Sequence, residues 1–319
     1  MNDFLSIKDF TPQEIRRFLD VARRVKAIPE AYSTALRGKT LAMIFEKPSL
    51  RTRVTFDVGI HQLGGFSLYL SPAEINLGKR ESVYDVAKNL ERMVDAIMIR
   101  TFAHEIVEQM AEYAAIPIIN GLTDYSHPCQ AMADYLTIEE VKGKIRGVKV
   151  AYIGDGNNVA HSLMFAGTQL GAHVWVATPP GYEPKADAIK WSHERALQTG
   201  ATCTLTNDPM EAATGADVIY TDVWASMGQE QQAEARKSLF RPFQVNAALF
   251  AKAKPECIFL HCLPAHRGEE VTNEVIDCPR SFVFQQAENR LHVQKAIMLE
   301  VMAHEVGSPE SRVQETAHV

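Results

Sequence analysis

A chain of 319 residues exceeds what one hydrophobic core usually organises, so two domains of similar size are expected. With 33 Lys plus Arg against 39 Asp plus Glu, the net charge of −6 excludes a general attraction to nucleic acid or anionic lipid, and basic residues have to be read locally. The five cysteines are odd in number, scattered and without a C-x-x-C pair, which argues against a disulfide framework or a zinc knuckle and for a reducing, cytoplasmic setting.

Met1 to Phe10 carries acids and no sustained apolar run, and no stretch approaches bilayer-spanning length, so neither export nor a membrane partner is expected. Short apolar runs then alternate with amphipathic ones, the pattern of an α/β fold built on parallel sheets. In the first half the predicted strands are Thr40 to Phe45, Phe66 to Leu70, Ala96 to Ile99 and Ile116 to Ile119, with helices over Val54 to Leu63 and Ser82 to Met93. A linking helix, Ala131 to Lys142, precedes the turn-like Gly143 to Gly147. In the second half the strands are Val148 to Ile153, His173 to Ala177, Thr202 to Thr206, Val218 to Thr221 and Ile258 to His261. The reading is two domains, residues 1–140 and 141–319, each a parallel sheet flanked by helices. The helix-like stretch Ala287 to Val306 would pack back on the first domain, ahead of a polar tail from Gly307.

Ligands of open parallel sheets bind beyond the carboxyl ends of the strands, and the polar clusters of this chain fall there. Lys47-Pro48-Ser49-Leu50-Arg51-Thr52-Arg53 follows the first strand and opens a helix. Outward N–H groups, two hydroxyls and a guanidinium that grips two oxygens suit a phosphate; an ordinary Ser49 N-cap with solvated arginines is the plain alternative. His127-Pro128-Cys129-Gln130 starts the linking helix, with His127 and Gln130 on one face as donors to a developing oxyanion, and Arg100 at a strand end is a further donor. Gly154-Asp155-Gly156-Asn157-Asn158 is a weak dinucleotide fingerprint, because Val159 replaces the third glycine and no acid follows the next strand. Asn158 reads better as a polar group toward a small substrate, or as a turn residue.

Asp222-Val223-Trp224-Ala225-Ser226-Met227-Gly228 has the composition of a mobile lid, with Asp222 suited to an ammonium or to a turn cap. His261-Cys262-Leu263-Pro264 ends a strand, and Glu288-Asn289-Arg290 lies further on. Cys262 by position is a nucleophile, a proton-transfer partner or an inert thiol.

Phe-Glu-Lys-Pro-Ser-Leu-Arg-Thr-Arg, His-Pro-Cys-Gln, Asp-Val-Trp-Ala-Ser-Met-Gly and His-Cys-Leu-Pro occur in the order and spacing of the aspartate/ornithine transcarbamylase superfamily. From about Phe4 to Val306 the chain resembles its ornithine transcarbamylase branch. The resemblance implies a carbamoyl-phosphate domain, then an ornithine domain, in a homotrimer or a multiple of trimers, using no metal and no organic cofactor. It implies transfer of a carbamoyl group from carbamoyl phosphate to the side-chain amine of L-ornithine, giving citrulline and phosphate in arginine metabolism.

Carried across residue by residue, the resemblance puts carbamoyl phosphate against Ser49, Leu50, Arg51, Thr52, Asn76, Arg100, His127, Gln130, Cys262, Leu263 and Arg290. It puts ornithine against Asn158, Asp222, Ser226 and Met227, and makes Arg100, His127, Cys262 and Asp222 the catalytic set. Leu50 stands where ornithine enzymes usually carry Thr or Gly, and Pro-Ser-Leu-Arg-Thr-Arg is similar to relatives acting on acylated ornithine. Its contribution would be mainly its backbone N–H. A nicotinamide dehydrogenase and an inactive binding protein on the same fold are the rival readings; the missing glycine and ribose acid weigh against the first, and the retained polar positions against the second.

Overall fold

The computed structural model describes residues 3–75, 77, 78, 80–225 and 233–303. The chain divides into two units. The first comprises Arg17–Thr123 with Met1–Leu5 and the chain from Leu291, and the second comprises Ser6–Arg16 with Asp124–Arg290.

In the first unit, α1 (Pro12–Ala27, shared with the second) leads to β1 (Thr40–Phe45), α2 (Leu50–Gln62), β2 (Phe66–Leu70), α3 (Pro72–Ile75), α4 (Val83–Leu90), β3 (Ala96–Arg100), α5 (His104–Tyr113) and β4 (Ile118–Leu122). The strands form one parallel sheet in the order β2-β1-β3-β4. The central strands are nearly uninterrupted apolar runs, Thr-Leu-Ala-Met-Ile-Phe and Ala-Ile-Met-Ile-Arg, as both faces of a helix-covered parallel sheet require. One core joins Ala42, Ile44, Ile97 and Ile99 to Val86, Val107 and Met110 of the covering helices.

The second unit continues with α6 (Pro128–Lys142), β5 (Lys149–Ile153), α7 (Asn158–Leu170), β6 (His173–Ala177), α8 (Ala186–Thr199), β7 (Thr202–Thr206), α9 (Pro209–Ala213), β8 (Val218–Thr221), α10 (Ala233–Phe240), α11 (Ala247–Phe250), β9 (Ile258–His261), α12 (Asn273–Ile276) and α13 (Val283–Met302). Its parallel sheet runs β7-β6-β5-β8-β9, so strand order reverses beside β5. The turns leaving β5, β8 and β9 therefore gather at one end of the sheet. Gly171, in the left-handed region at φ +80, ends α7 where a side chain would be strained.

The later part of α13 packs on the first unit, as expected of the C-terminal helix. A Cβ at Gly59 of α2 would sit 3.0 Å from the Met298 terminal methyl and 3.3 Å from Lys295 Cγ, so glycine permits the close approach. Lys295 donates to Gln62 at 2.9 Å and Arg17 pairs with Glu300 at 2.9 Å.

Most expected strands match the structure to within a residue. The fourth starts at Ile118 rather than Ile116, because Pro117 has no N–H to give a ladder. The linking helix starts at Pro128, three residues early, since proline suits a first helical position. The polar tail lies outside the described residues.

Candidate functional site

In the first unit the loop after β1 delivers Ser49 to the N-terminus of α2. Its hydroxyl accepts from the Thr52 N–H at 3.2 Å, so Ser49 is the N-cap of α2. Arg100 closes β3 at a register irregularity beside Ile99, which turns it to donate to the Thr52 hydroxyl at 3.4 Å. Thr52 and Arg100 are both buried, while Arg51 is half-buried. The Leu50 side chain is 75% exposed, so what it offers an anion is its N–H. Lys47 is buried with its ammonium 4.3 Å above the Phe102 ring, and Arg53 stacks 3.9 Å from Tyr69. Of this cluster's expected members only Asn76 lies outside the described residues.

In the second unit His127 occupies the N-cap position of α6, its N–H donating to Ser162 Oγ at 2.8 Å. Ser162 in turn donates to the Asn158 carbonyl at 2.9 Å, fixing the α6 start against the first turn of α7. Gln130 is buried and committed: Nε2 donates to Asp134 Oδ1 at 2.8 Å and Oε1 accepts from Arg290 at 3.1 Å. One amide N–H of Gln130 remains for a ligand. Gln286 also donates to Asp134, at 2.6 Å, and its oxygen accepts the His261 N–H at 3.0 Å. Burial pushes the Asp134 carboxyl up to about 7, against the opposing pull of Gln130, Gln286, Tyr220 and Arg290.

After β8, Asp222 is 6% exposed and held on both oxygens. The Cys262 thiol donates to Oδ1 at 2.9 Å and the Asn157 amide to Oδ2 at 2.8 Å. The strand β9 ends in His261, whose Nδ1 accepts the Leu263 N–H at 2.8 Å and whose Nε2 then donates to Glu270 at 3.2 Å. Leu263 has φ +58, a left-handed conformation that costs a branched residue about 1–2 kcal/mol and marks a constrained corner. Cys129, two residues after His127, is fully buried, and desolvation raises its thiol to about 12, so it is inert packing.

Flanking this corner, Arg236 of α10 pairs with Asp155 at 2.9 Å and donates to the Trp224 carbonyl at 2.7 Å. Burial outweighs the pairing and lifts the Asp155 carboxyl to about 6. Ser226 and Met227 lie outside the described residues. At the β5 turn, a Cβ on Gly156 would fall 2.3 Å from the Pro184 nitrogen and 2.4 Å from the Glu183 carbonyl carbon.

Among the described residues, Asp222, His261 and Cys262 lie close enough to share a cation, as do His266, Glu269 and Glu270. Both ring nitrogens of His261 are already engaged, so it has no lone pair to give a metal without losing the Leu263 bond.

Sequence reasoning missed Asn157, Asp134, Gln286 and Glu270. Asn157 had a signal, an Asn directly before a helical run. The other three are ordinary polar residues until the fold buries them together.

Residues 2–140 match the family model for the aspartate/ornithine carbamoyltransferase carbamoyl-P binding domain, and residues 146–301 match that for the Asp/Orn binding domain. The ornithine carbamoyltransferase of Thermococcus kodakarensis is 58% identical over 302 residues, covering 94% of this chain and 96% of its own length. That of Bacillus subtilis is 56% identical over 300 residues, covering 94% and 93%. The solved ornithine carbamoyltransferase of Pyrococcus furiosus superposes with a TM-score of 0.93 at 56% identity, covering 95% of this chain and 98% of that one. With both halves matched in order and the fold shared, the chain belongs to the aspartate/ornithine carbamoyltransferase family.

Proposed function

We propose that this chain is an ornithine carbamoyltransferase, moving the carbamoyl group of carbamoyl phosphate to the side-chain amine of L-ornithine to give L-citrulline and phosphate. The observation that carries the acceptor choice is Asp222, a buried carboxylate held on both oxygens by neutral donors, which matches the ammonium of an amino acid and repels a second carboxylate such as that of aspartate.

In this reading residues 1–140 form the carbamoyl-phosphate domain and 141–319 the ornithine domain. The α2 N-terminus capped by Ser49, the Leu50 N–H, Arg51 and Thr52 bind phosphate oxygens, with Asn76 beside them. Arg100, His127 and Thr52 meet the carbonyl oxygen, and Gln130, Arg290, Cys262 and Leu263 hold the carbamoyl end. Asn158, Ser226 and Met227 bind the amino-acid end of ornithine. The neutral amine attacks the carbonyl carbon, the C=O pair moves onto oxygen as an oxyanion, and its return expels phosphate with the C–O electron pair. The attacking nitrogen gives up its proton to the departing phosphate, which leaves as hydrogen phosphate. Asp222 receives the α-ammonium, and Cys262 beside it positions the side-chain amine.

A trimer belongs to the same proposal. It is supported by an apolar stripe on the first unit: Leu50, Val54 and Val58 recur at helical spacing along α2, and Phe66, at 64% exposure, and Leu68 stand exposed on edge strand β2. A cytoplasmic setting is supported by five cysteines that form no disulfide. Among the described residues no helix is long and apolar enough to cross a membrane.

The test is a citrulline assay with carbamoyl phosphate and a panel of acceptors. Ornithine should exceed acetylornithine, putrescine and aspartate in kcat/KM. A higher value for acetylornithine would overturn the acceptor assignment.

A further inference from the structure

The residue that decides where the Asp222 carboxylate points is Asn157, which neither the sequence motifs nor the family resemblance singles out. Asn157 is the N-cap of α7, with extended backbone at φ −85 and ψ −169. Its Oδ1 accepts from the Val159 and Ala160 N–H groups at 2.9 and 3.2 Å, and the buried Tyr152 hydroxyl approaches the same oxygen at 3.3 Å. Its Nδ2 donates to Asp222 Oδ2 at 2.8 Å.

Both ends of the amide demand the same orientation. Rotating it by half a turn would set NH2 against two backbone N–H donors and oxygen against a carboxylate oxygen. The helix terminus therefore aims the Asn157 N–H at Asp222 whatever else is bound. An amide donor fixes a carboxylate without cancelling its charge. With Oδ2 held by Asn157 and Oδ1 facing Cys262, the carboxylate plane has one setting.

We propose that Asn157 is a positioning residue for acceptor binding: the α7 N-cap holds Asp222 in the orientation that receives the ammonium of ornithine. The inference rests on the acceptor reading given above. Its cost to the protein is small, because the cap would be needed anyway and the same side chain does both jobs.

The two jobs separate by substitution. Serine caps a helix as well as asparagine does but is too short to reach Asp222, while alanine does neither. Asn157→Ser should melt close to the wild-type temperature and raise KM for ornithine roughly 10- to 100-fold, the equivalent of a lost hydrogen bond to a charged group. KM for carbamoyl phosphate should stay unchanged. Asn157→Ala should show the same ornithine defect plus a lower melting temperature. Wild-type ornithine KM in Asn157→Ser would reduce Asn157 to a helix cap and overturn the proposal. So would a parallel loss of affinity for both substrates, which signals local collapse. Absence of citrulline from the wild-type protein would overturn the acceptor reading itself, and this inference with it.

Discussion

The Cys262 sulfur lies 2.9 Å from Oδ1 of Asp222 and donates to it, although the two residues are 40 positions apart in the chain. A sulfur that gives a hydrogen to a carboxylate is a thiol in use as a donor. The neighbouring imidazole, His261, is not free to take that proton, since it spends both ring nitrogens on Leu263 and Glu270. This arrangement favours direct transfer over a covalent carbamoyl-cysteine.

Replacing Cys262 therefore should weaken the enzyme without abolishing it. Cys262→Ser keeps a hydrogen donor and should retain turnover within about tenfold of wild type, with Cys262→Ala lower. Mass spectrometry of enzyme quenched soon after mixing with carbamoyl phosphate should find no adduct. A carbamoylated Cys262 would establish the covalent route instead.

Arg51 is half-buried at the first turn of α2, where helix geometry does not depend on it. Arg51→Ala should weaken carbamoyl phosphate by roughly 1.5–3 kcal/mol, the value of a charged hydrogen-bonded contact. Turnover should fall further, because charge accumulates on the leaving phosphate. Calorimetry would measure the first and a progress curve the second. Unchanged affinity in a folded variant would remove Arg51 from the phosphate site.

Asp134 should leave a signature in stability against pH. Its carboxyl is raised by burial to about 7, whereas an unfolded Asp titrates near 3.9. Between about pH 4 and pH 7 the native chain retains a proton that the unfolded chain has lost, so this group's contribution declines as pH rises through that window. Asp134→Asn keeps an acceptor for Gln130 and Gln286 and does not titrate. Its urea midpoint relative to wild type should rise between about pH 5 and about pH 8. A constant difference would mean that Asp134 is ionised throughout.

The apolar stripe on α2 provides a test of assembly. Val54→Glu combined with Val58→Glu places two charges on surface that a trimer would cover. Light scattering should report a trimer, or a multiple of it, for wild type and a smaller mass for the double variant. Equal masses would place the subunit interface elsewhere.

The strands were legible because burial on both faces of a parallel sheet demands apolar runs, and Thr40–Phe45 or Val218–Thr221 admit little else. Residues just beyond those strands were legible for the same topological reason, as with Asp222 and Cys262. Helix starts were less so. His127 is a poor N-cap by type, and its place at the head of α6 depends on Ser162 accepting its N–H. The support beneath the site was not readable at all. Asp134 and Gln286 are 152 positions apart, and nothing in either neighbourhood marks them as partners. Side-chain networks of this kind are properties of the folded backbone and not of local pattern.

The crossing at Gly156 bears on what this fold could become. In dinucleotide-binding relatives of the architecture, the space above the corresponding glycine is where the pyrophosphate approaches. Here that space holds the protein's own backbone at Glu183 and Pro184, with the Gly156 N–H donating to the Tyr182 carbonyl at 2.9 Å. Restoring the missing third glycine by Val159→Gly would thus create the motif without creating a binding site. The glycine that looks like a relic of nucleotide chemistry is a keyhole through which one stretch of chain passes another, and converting this scaffold to a redox enzyme would require rerouting the loop from 179 to 185 before any residue of the motif mattered.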